Sequence, residues 1–81
     1  MKIEILGTGC TKCKTLAERT EAAAKRIGCA YEMVKVTDID KIISYGVMMT
    51  PALVIDGTVV VSGKVPSDRE LQAFISTHMP G

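Results

Sequence analysis

The period of hydrophobic and polar positions changes several times along this 81-residue chain, and each change marks an element. Lys2 to Leu6 mixes charge with β-branched and apolar residues and runs into Gly7-Thr8-Gly9, the pattern of a strand ending in a glycine turn. From Thr11 to Ile27 the residues Cys13, Leu16, Ala17, Ala23, Ala24 and Ile27 recur at helical spacing, with Thr20 filling the gap on the same face. Lys14, Glu18, Glu21 and Lys25 take the wet side, where Glu21 and Lys25 form a favourable i,i+4 pair. Gly28 follows as a residue able to turn left-handed past the helix end. Tyr31 to Val36 reads as a second strand whose mixed charge suits a sheet edge. Thr37-Asp38-Ile39-Asp40 caps a short helix through Ile42, Ile43 and Tyr45, closed by Gly46. Beyond Met49-Thr50-Pro51, the apolar runs Ala52 to Ile55 and Thr58 to Val61 flank Asp56-Gly57, a strong hairpin signal. Ser67-Asp68-Arg69-Glu70, preceded by Pro66, is a capping box opening a last helix with Leu71, Phe74 and Ile75 on one face.

The order is β-α-β-α-β-β-α. The first β-α-β unit must be parallel and right-handed, and the terminal hairpin must be antiparallel. The expected fold is therefore α/β, a four-stranded mixed sheet with helices on both faces. Residues 1–81 are expected to form a single domain, because half this length cannot bury a core.

Composition narrows the function. Ten basic against nine acidic residues leave no patch for a polyanion, so neither nucleic acid nor an acidic membrane surface is an expected partner. Met1-Lys2-Ile3-Glu4-Ile5-Leu6 is too short and too charged for the apolar part of a signal peptide. No apolar run approaches the roughly 20 residues that span a bilayer. The expectation is a cytoplasmic, monomeric protein.

Two of the three cysteines, Cys10 and Cys13, stand where the glycine turn meets the long helix. An odd cysteine count with one close pair argues against a disulfide scaffold and for catalytic, redox or metal use. Their spacing puts both thiols on one side of the first turn, within reach of one disulfide. The helix N-terminus favours a thiolate at Cys10. Lys12, between the cysteines, and Lys14 add cationic charge that solvent screens. A cysteine near pKa 8.5 falls to roughly 3.5–7.5 in such surroundings. Cys13, on the apolar face, is expected to be shielded and to stay a thiol until needed. This asymmetry supplies a cycle in which Cys10 attacks a substrate disulfide and Cys13 releases the product. Two other uses of the pair stay open on the residues alone. One is metal handling, as half a zinc site completed by Cys29 and His78, as a two-coordinate copper(I) site or as a metalloid-linked redox partner. The other is a redox-sensing interaction module.

Gly7-Thr8-Gly9-Cys10-Thr11-Lys12-Cys13, followed by Thr50-Pro51 and the Asp56-Gly57 hairpin, resembles the thioredoxin superfamily, and within it the small prokaryotic redox-active-disulfide, glutaredoxin-like proteins. The likeness covers nearly the whole chain. It implies the minimal thioredoxin fold and a protein-disulfide reductase with no cofactor and no metal, Cys10 being the nucleophile and Cys13 the resolving cysteine. It also implies a cis bond between Thr50 and Pro51, so that Met49, Thr50 and Pro51 receive an extended substrate strand near the thiols. The implied partners are protein disulfides and a thioredoxin-reductase-type flavoprotein or another electron donor. The chain departs from the pattern in having no tryptophan, and Thr-Lys between the cysteines instead of Gly-Pro or Pro-Tyr. Glu4 stands six residues before Cys10, where thioredoxins carry a buried acid that assists proton transfer; as a strand residue beside Lys2 it can equally face solvent. Ser62-Gly63 and Asp68 match the glutaredoxin Gly-Gly-acid site only loosely, so no glutathione site is expected.

Three further features carry bland expectations. Cys29 is expected to be a small buried apolar residue and His78 a solvated one near the chain end. Met48 and Met49 either line an apolar docking surface or pack in the core.

Overall fold

Strand β1 (Lys2–Leu6) is an inner strand flanked on both sides, in a computed structural model that describes residues 1–9 and 11–79. Helix α1 (Thr11–Arg26) returns the chain to β2 (Glu32–Val36), which pairs parallel to β1 with Ile5 opposite Lys35. Helix α2 (Ile39–Ser44) leads to β3 (Ala52–Ile55), antiparallel to β1, and a hairpin adds β4 (Thr58–Ser62). Helix α3 (Asp68–His78) ends the fold. The sheet order is β2-β1-β3-β4, so the charged second strand does lie at an edge.

Local chemistry explains the boundaries. Asp56 and Gly57 both have positive φ, 47° and 86°, the requirement of a type I′ hairpin turn. Past α1, the Cys29 N–H donates to the Ala24 carbonyl at 3.0 Å and the Gly28 N–H to that of Lys25 at 3.1 Å. This is a Schellman end with Gly28 left-handed at φ 71°, and it draws Ile27 out of the helix into the cap. Asp38 caps α2 by accepting from the Asp40 N–H at 3.0 Å. Ser67 and Glu70 form the reciprocal capping box of α3.

The two faces of the sheet are unequal. Ile3, Leu53 and Ile55 meet Leu16 of α1 and Leu71 and Ile75 of α3, all fully buried. Each such side chain contributes about 1.5–3 kcal/mol, so this face holds most of the fold's stability. On the other face Leu6, Val36, Ala52 and Val54 meet α2, whose single buried residue is Ile42. The loop from α2 to β3 therefore hangs from the thinner layer.

Candidate functional site

The site forms where β1 runs out. The Gly7 N–H donates to the Val36 carbonyl at 3.0 Å, continuing the parallel pairing by one residue. Thr8 and Gly9, the latter at φ 88°, then turn the chain into α1. Cys10, the expected nucleophile, lies outside the described residues. Cys13 is buried at 6% exposure in the first turn of α1, as its place on the apolar stripe predicts. It packs so closely on β1 that a Cβ added at Gly7 would land on its Sγ. The same added Cβ would sit 3.9 Å from the Thr50 Cβ, so Gly7, Cys13 and Thr50 converge on one point. The Thr50–Pro51 bond is cis, as the resemblance implies; Pro51 is buried and Thr50 exposed.

The proline loop is held from behind by β4. The Ser62 hydroxyl donates to the Met49 carbonyl at 3.1 Å, and the Gly63 N–H donates to that of Pro51 at 2.8 Å. The Met49 side chain lies over Gly63, where a Cβ would come within 3.0 Å of Met49 Cβ. Met48 is 97% exposed and Met49 62%, so neither packs in the core. With Ile39 and Ile43 on the outer face of α2, they are four of the five exposed large hydrophobic residues among the described ones.

A cavity of about 80 Å³ opens beside Cys13, between the ends of β1 and β2 and the start of α1. Ile5, Gly7 and Cys13 form its apolar side, and Lys14, Lys35 and Thr37 its polar side. Lys12 is exposed in the first turn of α1, which carries no acidic residue. The local field at the helix start is thus cationic.

Glu4 is found in neither place that its sequence position allows. It is buried at 3% exposure, so it does not face solvent beside Lys2. Nor does it reach the thiol: Ile5 lines the Cys13 cavity, and strand alternation sends Glu4 through the opposite face of the sheet. There the Tyr45 hydroxyl donates to its carboxylate, 2.8 Å from one oxygen and 2.7 Å from the other. The Tyr45 phenol is held above its ordinary range by that hydrogen bond first, then by desolvation and the carboxylate charge. Tyr45, read from sequence only as a residue of the short helix, is the α2 C-cap. Lys35 was also missed; the signal was the alternation Val34-Lys35-Val36, which sends the lysine to the Cys13 side.

The other thiol chemistry is remote. Cys29 lies past the far end of α1, whose stretch from Cys13 to Arg26 alone spans about 20 Å at 1.5 Å per residue, so the two cannot share a zinc ion. It is half-buried, with its Sγ 3.8 Å from Met1 Sδ and donating to the Ala30 carbonyl at 3.4 Å. His78 is also half-buried instead of solvated, its Nδ1 2.9 Å from the Phe74 carbonyl oxygen. Among the described residues no group of three His, Cys, Asp or Glu side chains is placed to hold a metal ion.

A four-stranded mixed sheet between unequal helical layers, with the second cysteine of a Cys-x-x-Cys sequence in the first turn of the first helix and a cis-proline loop against it, defines the thioredoxin-like class of α/β proteins. Comparison with known families agrees, the profile of the thioredoxin domain matching residues 1–76. The chain belongs to the thioredoxin family. It is 37% identical over 79 residues to a thioredoxin of Methanocaldococcus jannaschii, spanning 98% of this chain and 91% of that protein. It is 36% identical over 76 residues to a thioredoxin of Methanothermobacter thermautotrophicus, spanning 94% and 99%. Among the described residues no helix is long and apolar enough to cross a membrane.

Proposed function

We infer that this thioredoxin-family oxidoreductase reduces protein disulfides through a dithiol cycle of Cys10 and Cys13. The observation that carries the reading is the burial of Cys13 at the point where Gly7 and Thr50 meet. A thiol so placed is a poor first attacker and a well-positioned second one. Cys10, which directly precedes α1 in the sequence, attacks a substrate disulfide as thiolate, and one substrate sulfur leaves with a proton from solvent. Cys13 then loses its proton on the side of the lysine-lined cavity and attacks Cys10. The second substrate thiol is released and the Cys10–Cys13 disulfide remains. Met49, Thr50 and Pro51 give the substrate strand an edge to pair with, and Met48 adds adaptable apolar contact. A flavoprotein of the thioredoxin-reductase type, or another dithiol donor, restores the dithiol. The setting this requires is a reducing one such as the cytoplasm, with the chain acting as a monomer of one domain across residues 1–81.

The test is the pair of cysteine variants. Cys13→Ser should accumulate a mixed disulfide through Cys10, visible by mass, and Cys10→Ser should reduce a protein disulfide no faster than buffer. Full activity in Cys10→Ser would sink the assignment.

A further inference from the structure

We propose that Glu4 and Tyr45 are positioning residues for client binding: the hydrogen bond between them sets where Thr50 stands relative to Cys13. This deepens the dithiol reading above and rests on it. It gives the buried acid of β1 a part in holding the docking edge in place of one in proton transfer.

The loop that carries Thr50 is pinned at both ends. At its β3 end the Ser62 hydroxyl donates to the Met49 carbonyl and the Gly63 N–H to the Pro51 carbonyl. At its α2 end Tyr45 caps the helix, and its hydroxyl lies 2.8 and 2.7 Å from the two Glu4 oxygens. Between these ends, of Gly46 to Met49 only Val47 is buried. The apolar contacts of Ile42 and Val47 hold α2 and the loop down on the sheet. Such contacts are non-directional and tolerate sliding. A hydrogen bond is directional, so the Tyr45–Glu4 bond is the contact that fixes one place along the strand.

The anchor of that bond is the rigid centre of the sheet. Glu4 stands opposite Val34 of β2 on one side and Val54 of β3 on the other. Three residues on, the same strand leads into Gly7, which packs against the Cys13 sulfur. At about 3.3 Å per residue the two points are roughly 10 Å apart, so β1 locates both the resolving thiol and the segment leading to Thr50. A client needs both at once, its strand paired at the proline loop and its sulfur within reach of Cys13. Glu4 is turned away from the thiol chemistry, because its carboxylate faces Tyr45 while Ile5, on the other face of the sheet, lines the cavity beside Cys13.

The experiment mixes the pre-reduced full chain at pH 7 with excess insulin, a protein with accessible disulfides. Loss of free thiols on the chain, read against insulin concentration, gives a half-saturating concentration and a limiting rate. Hydroxyethyl disulfide, which offers no strand to pair, is the control. In Tyr45→Phe the half-saturating insulin concentration should rise about five- to tenfold, because the untethered loop holds its competent position only part of the time, while the limiting rate and the control rate stay within about twofold. Glu4→Gln should match wild type in all three quantities. Its amide oxygen accepts the phenol proton and its amide N–H donates to the phenol oxygen, so the tether outlives the charge. Glu4→Met/Tyr45→Phe, apolar on both sides, should regain the urea midpoint lost in Tyr45→Phe and keep the raised half-saturation. An unchanged half-saturation in Tyr45→Phe overturns the proposal. So does a half-saturation that returns with the midpoint in the double variant, which would assign the effect to stability alone. A lowered limiting rate in Glu4→Gln also overturns it, by assigning Glu4 to proton transfer. A wild-type chain that reduces neither disulfide overturns the dithiol cycle itself and the proposal with it.

Discussion

Glu4 and Tyr45 show how one residue pair ties the site's thinner layer to the sheet. A buried carboxylate needs donors, and among the described residues the Tyr45 hydroxyl meets both of its oxygens. Tyr45 ends α2 only five residues before Thr50, so this bond fixes the start of the proline loop to β1. Its proton sets the pH window. Because the folded state holds the Tyr45 proton more tightly, the stability this adds is complete below the ordinary phenol value near 10. It is lost as pH rises through the higher folded-state value. Tyr45→Phe, which leaves Glu4 buried without that donor, should lower the urea midpoint at neutral pH. The gap from wild type should narrow as pH rises above about 10, because only the wild type loses this contribution. A gap unchanged across that range would remove Tyr45 from the account.

At the scale of elements, α1 carries one defect. The Thr20 hydroxyl is fully buried on its apolar stripe and has no hydrogen-bond partner among the described residues. Thr20→Val keeps the shape and removes the unsatisfied group, and should stabilise the fold by about 1 kcal/mol in chemical denaturation. The helix itself was legible from period alone, as were the Asp56-Gly57 hairpin and the capping box at Ser67, because each is specified by residues close in sequence. Glu4 was not. An alternation such as Lys2-Ile3-Glu4-Ile5 marks a wet face when a strand is covered on one side. Here β1 lies between β2 and β3 with helices over both faces, so its polar position is buried too. Lys35 escaped for the converse reason: a charge on an edge strand reads as protection of that edge, and only the register shows it beside Cys13. Among the site residues, Cys13 and the Thr50–Pro51 loop were named from the chain alone, the loop through its family resemblance.

For the whole molecule, the unequal layers predict unequal opening. The α1–α3 face is a broad apolar contact, whereas α2 rests on Ile42, the Glu4–Tyr45 bond and its caps. Segments with few buried contacts open locally at lower free energy than global unfolding. Native-state hydrogen exchange should therefore find the amides of α2 opening well below the global value, and those of Leu16 to Ala24 in α1 opening with it. Equal protection in the two helices would refute this ranking. Such a division suits the proposed chemistry, since the layer that presents Thr50 to a client is the one free to adapt, and the layer that holds Cys13 is the rigid one.

Gly7 has a consequence for how this sequence can change. The Cys13 sulfur occupies the space that any side chain at position 7 would claim. Every single-nucleotide change that replaces a glycine codon with another amino acid installs a Cβ. Position 7 thus has no harmless neighbour in mutational space while Cys13 stays where it is. A random library selected for disulfide reduction should keep glycine there, and any exception should carry a second change that moves the helix start.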